Sequence, residues 1–135
     1  MADDKVGFEL VSPERLLLSE PVEMVVVPGS EGDFGVLPRH TPMISTVRPG
    51  LIRVFENGAV KDTIFVAGGF AEVTPERCTV LADSAMPPSE IDRAATEQQL
   101  KDAREDLADA KDDAERAAAE KTIAVAEAML QVAQS

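Results

Sequence analysis

Glycine and phenylalanine are confined to the first part of this chain. All eight glycines and all five phenylalanines lie before residue 71, whereas the stretch after Ala85 is rich in Ala, Glu, Asp, Gln and Lys. The Met86-Pro87-Pro88 segment marks the boundary, because proline stiffens a short linker and disfavours helix in the residue before it. The sequence therefore predicts two domains, residues 1–86 and 87–135.

The first domain carries the pattern of half-buried β-strands. Asn57-Gly58 separates Leu51–Glu56 from Ala59–Val66 and predicts a β-hairpin, because both central residues of a type I′ turn need positive φ. Proline-containing turn signals recur and no βαβ pattern is present, which favours an antiparallel β-sandwich or flattened barrel. Apolar residues alternate along two runs, and three more fall on one face of the next: Val6, Phe8 and Leu10; Ile52 and Val54; then Val60, Ile64 and Val66.

The second domain has the pattern of α-helices. Ser89 is a suitable N-cap, with Glu90 and Asp92 in the first turn. Asp112 and Glu115 have capping-box spacing and can restart a helix after a turn, which favours an antiparallel helical hairpin over one long bent helix. Alanine buries little area, so we expect weak packing between the helices. The predicted apolar stripes are Ala94, Leu100, Ala103, Leu107 and Ala110, then Ala114, Ala117, Ala118, Ile123, Ala126, Leu130 and Ala133.

Charge and reactive side chains exclude several classes of function. The formal net charge of −12 argues against nucleic-acid and anionic-lipid binding, which need concentrated Lys and Arg. No apolar run approaches the roughly 18 residues that span a bilayer, so we expect a soluble chain. Cys78 lies in an alternating apolar run and is predicted to be buried and inert. His40 has no second histidine to form a metal site or a catalytic pair, so no cofactor is expected.

The run Gly29–His40 (GSEGDFGVLPRH) is the most distinctive segment of the sequence. Its glycines give access to positive φ, and Pro38 within it and Pro42 just after it fix φ, so it is predicted to form a tightly turned, surface-presented pair of loops. Together with VSPERLLLSEPVEMVVVP before it and FVAGGFAEV after it, this run resembles the epsilon subunits of F-type ATP synthases, called delta in mitochondria. The resemblance extends over essentially the whole sequence.

The resemblance implies a non-catalytic rotor subunit of the central stalk, which couples proton-driven rotation to ATP synthesis. In this family the β-sandwich binds the gamma subunit and the ring of c subunits, and the helical tail makes transient contact with alpha and beta subunits. The implied location is the cytoplasmic face of a bacterial inner membrane, as a peripheral protein, although a mature organellar protein would look similar. The implied c-ring contacts are Glu31, Asp33, Arg39 and His40, and Ser12 is the implied gamma contact.

The helical tail has a degenerate form of a family motif. Some bacterial epsilon subunits bind ATP through I/L-D-x-x-R-A, and here Ile91 and Asp92 match while Ala95 takes the arginine position. Weak ATP binding at most is therefore expected. Residues 89–135 contain six basic and twelve acidic residues. An acidic catalytic head would repel such a tail, so we expect only modest inhibition of ATP hydrolysis.

Two other classes of function stay open. One is a free-standing nucleotide-binding module, although Ala67-Gly68-Gly69-Phe70 lacks phosphate-loop spacing and is predicted to form a bulge or tight bend. The other is an oligomerising adapter that uses its helices as a coiled coil. The absence of sustained Leu or Ile heptads weighs against that adapter.

Overall fold

A computed structural model describes residues 4–133, which divide into two compact units on either side of the Pro87-Pro88 bond. The first unit holds ten strands, and the second holds a 3-10 turn at Pro88–Glu90 and two α-helices. The strands are β1 Val6–Val11, β2 Leu16–Val22, β3 Met24–Gly29, β4 Gly32–Val36, β5 Met43–Val47, β6 Gly50–Glu56, β7 Ala59–Val66, β8 Gly69–Val73, β9 Arg77–Ala82 and β10 Ala85–Met86. The helices are α1 Arg93–Asp109 and α2 Asp113–Ala133.

All ten strands belong to one curled sheet with the order β10-β7-β6-β3-β5-β8-β9-β1-β2, and β4 pairs with β3. Strand pairs in the described residues are antiparallel except for β1 and β9, which run parallel. The predicted β-sandwich followed by a helical hairpin is confirmed. The predicted turn is confirmed too, since Asn57 and Gly58 have φ of 54° and 75° between β6 and β7.

The sheet folds over on itself along one line of bends. β3 pairs antiparallel with both β5 and β6, so β5 and β6 run in the same direction, one after the other. Backbone hydrogen bonds continue across the line, from the Ala67 amide to the Ser84 carbonyl (3.0 Å) and from the Asp83 amide to the Gly68 carbonyl (2.9 Å). We call this line the corner; it consists of Arg48-Pro49, Ala67-Gly68 and Asp83-Ser84, which join β5 to β6, β7 to β8 and β9 to β10.

The corner gives the sandwich two different ends. At the corner end lie the β3–β4 turn, Ser30-Glu31, and the turn that follows β1, Ser12–Arg15. At the opposite end, which we call the open end, lie the Asn57-Gly58 turn, the β8–β9 turn and loop 37–42. Lys5 bridges the two layers at the open end through an ion pair with Glu56 (2.6 Å), and this hydrogen bond raises the pKa of Lys5.

The core lies between the two layers and is made of the inward residues of alternating strands. The predicted alternation of Val6, Phe8 and Leu10 is confirmed, since all three are buried and their neighbours are partly exposed. Val60 was predicted on a buried face and is exposed, because the pairing of β6 with β7 shifts register between Val60 and Asp62. Cys78 is fully buried, and this burial raises the pKa of its thiol to about 12.

The second unit is a hairpin in which α1 and α2 pack against each other. The first helix does not begin at Ser89 as predicted, because residues 88–90 form a 3-10 turn and Asp92 is the N-cap. The second helix begins where predicted: the Glu115 amide donates to the Asp112 carboxylate (2.7 Å). The buried helical residues are Thr96, Leu100, Ala103, Ala119 and Ala126, so Thr96 and Ala119 were missed. The predicted stripe residues that are exposed are Ala94, Ala114, Ala117, Ala118 and Ala133.

Gly69, the first residue of β8 after the corner, has no room for a side chain. It has φ of 144°, and an added Cβ would lie 2.0 Å from the carbonyl oxygen of Leu81. We expect Gly69→Ala to lower the free energy of unfolding by at least about 3 kcal/mol, because backbone strain and a collision with backbone combine. Urea unfolding measures this loss.

Gly32→Ala is the matched control for Gly69→Ala. Gly32 has a similar φ of 134°, but nothing lies within 4 Å of an added Cβ. The control therefore carries the backbone strain without the collision, and we expect it to cost about 1.5 kcal/mol less than Gly69→Ala. Equal losses in the two variants would contradict the close approach at the corner.

Candidate functional site and interaction surfaces

The β3–β4 turn is held by a cluster of charged side chains at the corner end. Asp33 follows the turn on β4, and its Oδ1 accepts a hydrogen bond from Nη2 of Arg48 (2.6 Å). Its Oδ2 accepts a second hydrogen bond (3.1 Å) from Nη2 of Arg53, a residue of β6. The run that was predicted to be loop thus contains the strand β4, and Asp33 is ion-paired on that strand.

Arg48 also ties the turn to the corner through its backbone contacts. Its Nη1 donates to the carbonyl oxygen of Gly29 (2.5 Å), and its amide donates to the carbonyl of Pro28 (2.8 Å). The Ser30 amide donates to the carbonyl of Thr46 (2.9 Å). Glu31 is exposed at the tip of this turn. The turn is therefore a fixed projection that carries one outward carboxylate.

Arg39 and His40 lie on loop 37–42 at the open end. Arg39 has φ of 67°, and its amide donates to the carbonyl of Pro75 (2.7 Å), which fixes the loop against the β8–β9 turn. The Nδ1 of His40 donates to the carbonyl oxygen of Thr41 (2.7 Å), since a carbonyl oxygen can only accept. The His40 ring is thus engaged locally.

The four predicted c-ring contacts do not form one cluster. Glu31 and Asp33 lie at the corner end, whereas Arg39 and His40 lie at the open end. The strand between them, β4, has five residues and spans about 13 Å. The sequence pattern could not show this separation, because the segment was interpreted as adjacent loops. Two of the four predicted contact residues therefore lie at each end of the sandwich.

A row of apolar side chains crosses the outer face of the sandwich near the corner. The row runs over four strands in register, with Phe70 opposite Leu81, Leu81 opposite Val11 and Val11 opposite Leu16. Phe70 is 57% exposed, Leu81 53% and Leu16 56%. We call these four residues the outer apolar row. The row could not be predicted from the sequence, because its members come from four strands and meet only through strand pairing.

Two residues, Ile44 and Ser12, lie at the margins of the outer apolar row. Ile44 on β5 is 75% exposed and lies two residues before Thr46, the partner of Phe70, on the same face of the sheet. Ser12 follows Val11, and its hydroxyl donates to the carbonyl of Arg15 (3.3 Å) within the turn. The predicted gamma contact Ser12 therefore adjoins an exposed apolar surface, although its own side chain is engaged in the turn.

The degenerate ATP motif forms an ordinary helix start. The Oδ1 of Asp92 accepts from the Ala95 amide (3.0 Å), and the hydroxyl of Thr96 donates to the Asp92 carbonyl (2.7 Å). Arg93 pairs with Glu97 (3.1 Å) along the same helix. The carboxylate of Asp92 caps the helix and Ile91 is partly exposed before it. Helix capping accounts for the matched positions of the motif.

Metal-binding clusters and membrane-spanning helices are both absent from residues 4–133. These residues contain no group of three or more His, Cys, Asp or Glu side chains placed to hold a metal ion. Neither helix in that range combines the length and the apolar character needed to cross a membrane.

Comparisons with known proteins place this architecture in one class. Residues 5–88 match the family model described as ATP synthase, Delta/Epsilon chain, beta-sandwich domain, and residues 92–135 match the model for the C-terminal domain of the ATP synthase epsilon subunit. These matches define a β-sandwich subunit with a helical C-terminal domain. The protein belongs to the ATP synthase delta/epsilon family and is a subunit of that enzyme complex.

Similar proteins come from several organisms. An ATP synthase epsilon chain from Rhodospirillum rubrum is 62% identical over 71% of this sequence and 72% of its own length. That of Granulibacter bethesdensis is 56% identical over 73% of both sequences. A subunit in the Euglena gracilis mitochondrial ATP synthase structure has a TM-score of 0.80 and 27% identity, and the match extends over 98% of this protein and 82% of that one.

A subunit of the Tetrahymena thermophila mitochondrial ATP synthase, in a structure of its central stalk and c-ring, has a TM-score of 0.73. The two sequences are 13% identical, and the match covers 96% of each. At that identity the likeness concerns the fold alone.

We expect the protein to show no saturable ATP binding below about 1 mM, which corresponds to about −4 kcal/mol. Ala95 provides no guanidinium for a phosphate, and Asp92 is engaged as the helix cap. Titration calorimetry on the full-length protein measures this affinity, with Ala95→Arg as the comparison variant. A micromolar dissociation constant for the natural sequence would contradict the expectation.

Proposed function

We propose that the protein is a non-catalytic subunit of the central stalk, in which one sandwich joins the gamma subunit to the c-ring. The observation that carries this proposal is the presence of two distinct presented surfaces on the same unit. One is the outer apolar row, and the other is the charged β3–β4 turn at the corner end. A coupling subunit needs two such surfaces held in fixed relation.

We assign the outer apolar row to the gamma subunit. Exposed apolar side chains that adjoin one another across several strands are typical of a protein interface, whereas isolated ones are common on any surface. Phe70 is aromatic and lies between Thr46 on β5 and Leu81 on β9, so it is placed to anchor the contact. The adjoining position of Ser12, which the family resemblance relates to gamma, supports this assignment.

Removing the aromatic anchor should weaken gamma binding. We expect Phe70→Ser to weaken binding at least about 30-fold, which corresponds to a central interface residue worth about 2 kcal/mol. The measurement is titration of ATP synthase complexes stripped of this subunit with the labelled full-length protein. Phe70 is exposed in the isolated protein, so we expect the melting curve to change little.

Val60→Ser is the matched control for Phe70→Ser. Val60 is also an exposed apolar residue, at 47%, but it lies on β7 next to the hairpin turn of the open end. We expect binding to change less than about threefold, as for a substitution outside the interface. If the two variants bind equally well, the outer apolar row is not the gamma surface.

We assign the β3–β4 turn to the c-ring. The turn is fixed by backbone hydrogen bonds and by Arg48, so it can bear a load without rearranging. Glu31 gives it an outward charge that can set register and orientation against polar loops of a ring. Arg39 and His40 lie at the other end of the sandwich, and we leave them out of this contact.

Reversing the charge at the tip should uncouple the complex while leaving assembly intact. We expect Glu31→Lys to lower the ratio of ATP synthesised to protons passed at least about twofold, because a misplaced rim charge penalises the correct docking geometry. The measurement is ATP synthesis and proton flow in vesicles with reconstituted complexes. Glu76→Lys places the same change on an exposed residue of the open end and should leave the ratio unchanged.

The protein is proposed to reach the membrane through these partners, as a peripheral protein on the cytoplasmic face of a bacterial inner membrane. The bacterial origin of the relatives at 62% and 56% identity supports this location.

If Glu76→Lys uncoupled the complex as strongly as Glu31→Lys, the assignment of the corner end to the c-ring would fail.

A further inference from the structure

We propose that Asp33 is a positioning residue, which fixes the β3–β4 turn so that Glu31 makes the charged contact with the c-ring. This inference rests on the proposed contact between the turn and the ring. It reverses the simplest interpretation of the sequence, in which both carboxylates of the turn face the partner. The observation that carries it is that Asp33 on β4 forms ion pairs with two arginines, Arg48 and Arg53, neither of which belongs to β3 or β4.

The position of β4 in the sheet explains why such a tie is needed. β4 pairs with β3 alone, so backbone hydrogen bonds hold it along one side only. Arg48 lies at the corner and Arg53 lies on β6, which pairs with β3. By accepting from both guanidinium groups, Asp33 links β4 to the far side of β3. The tie therefore sets the tilt of the β3–β4 hairpin relative to the corner.

The hydrogen bonds of Arg48 connect this tie to the turn itself. One guanidinium nitrogen of Arg48 binds Asp33 and the other binds the carbonyl of Gly29, the last residue of β3. The same side chain thus touches both strands that flank the turn. Removing the carboxylate of Asp33 would release Arg48 from β4, so that Arg48 would hold the turn from the β3 side only, through Gly29.

The two acidic side chains of the turn have different surroundings. Both carboxylate oxygens of Asp33 are engaged, at 2.6 and 3.1 Å. Glu31 is exposed, and within residues 4–133 it makes no hydrogen bond or ion pair. A partner would have to compete with two guanidinium groups for Asp33, while Glu31 is available to it. The structure thus gives the contact to Glu31 and its placement to Asp33.

Two measurements on the same variants test this division. The first is amide hydrogen exchange of Ser30, which is hydrogen-bonded to Thr46, and of Gly32, which pairs with Gly29, in the isolated full-length protein; it reports the order of the turn without any partner. The second is the ratio of ATP synthesis to proton flow in reconstituted complexes. Because the ion pairs are partly exposed, we expect the melting curve of the protein to stay nearly unchanged in each variant.

We expect Asp33→Asn to raise exchange in the turn at least about fivefold and to lower the coupling ratio. Arg48→Met should reproduce both effects in part, because the pair of Asp33 with Arg53 remains, and the effects of the two substitutions should be less than additive in the double variant, since Asp33 and Arg48 share one ion pair. Asp33→Glu keeps the carboxylate and should restore most of both. Glu31→Gln should lower the coupling ratio without changing the exchange of the turn.

Three results separate the possible failures. If Asp33→Asn lowers coupling while exchange in the turn stays unchanged, Asp33 contacts the partner directly and the positioning role is overturned. Strictly additive effects of Asp33→Asn and Arg48→Met on exchange would also overturn it, because the two residues would then act separately. If exchange rises as expected but coupling is unchanged in every variant, the positioning of the turn is supported and the proposed c-ring contact is overturned.

Discussion

The close approach of backbone to backbone at the corner is the constraint on which the sandwich depends. Gly69 leaves no room for a Cβ against the Leu81 carbonyl, and the neighbouring Gly68 also has positive φ, at 114°. Three pairs of strands pass through the bend there while the hydrogen-bond ladder continues. A single sheet thereby encloses its own core, and Val, Phe and Leu side chains from both layers meet inside it.

The corner also decides where the presented groups lie. Because the strands bend along one line, the turns between them lie at two separate ends of the sandwich. The β3–β4 turn lies at the corner end, and loop 37–42, which follows β4, lies at the open end. Glu31 and His40 are near neighbours in the sequence and lie at opposite ends for this reason. The outer apolar row forms by the converse effect, because pairing across β8, β9, β1 and β2 unites residues that are distant in the sequence.

Local patterns predicted the elements well, and they failed where long-range pairing decides. The Asn57-Gly58 turn and the restart of helix at Asp112 depend on residues close in sequence, and both were predicted. The N-cap at Asp92 was missed because Ser89 satisfies the same local rule. The pairing of Asp33 with Arg48 and Arg53 could not be predicted, since no local sequence signal indicates which residues of other strands lie near β4.

The burial of Cys78 has a practical consequence for experiments on this subunit. It is the single cysteine of the sequence, it is fully buried, and its thiol has a pKa of about 12. At neutral pH the nucleophilic thiolate is therefore almost absent, and reagents have no access to the sulfur. A cysteine introduced at Glu31 or Phe70 would be the only reactive thiol. Fluorophores or crosslinkers can thus be attached to either surface of the natural protein, with its own cysteine left in place.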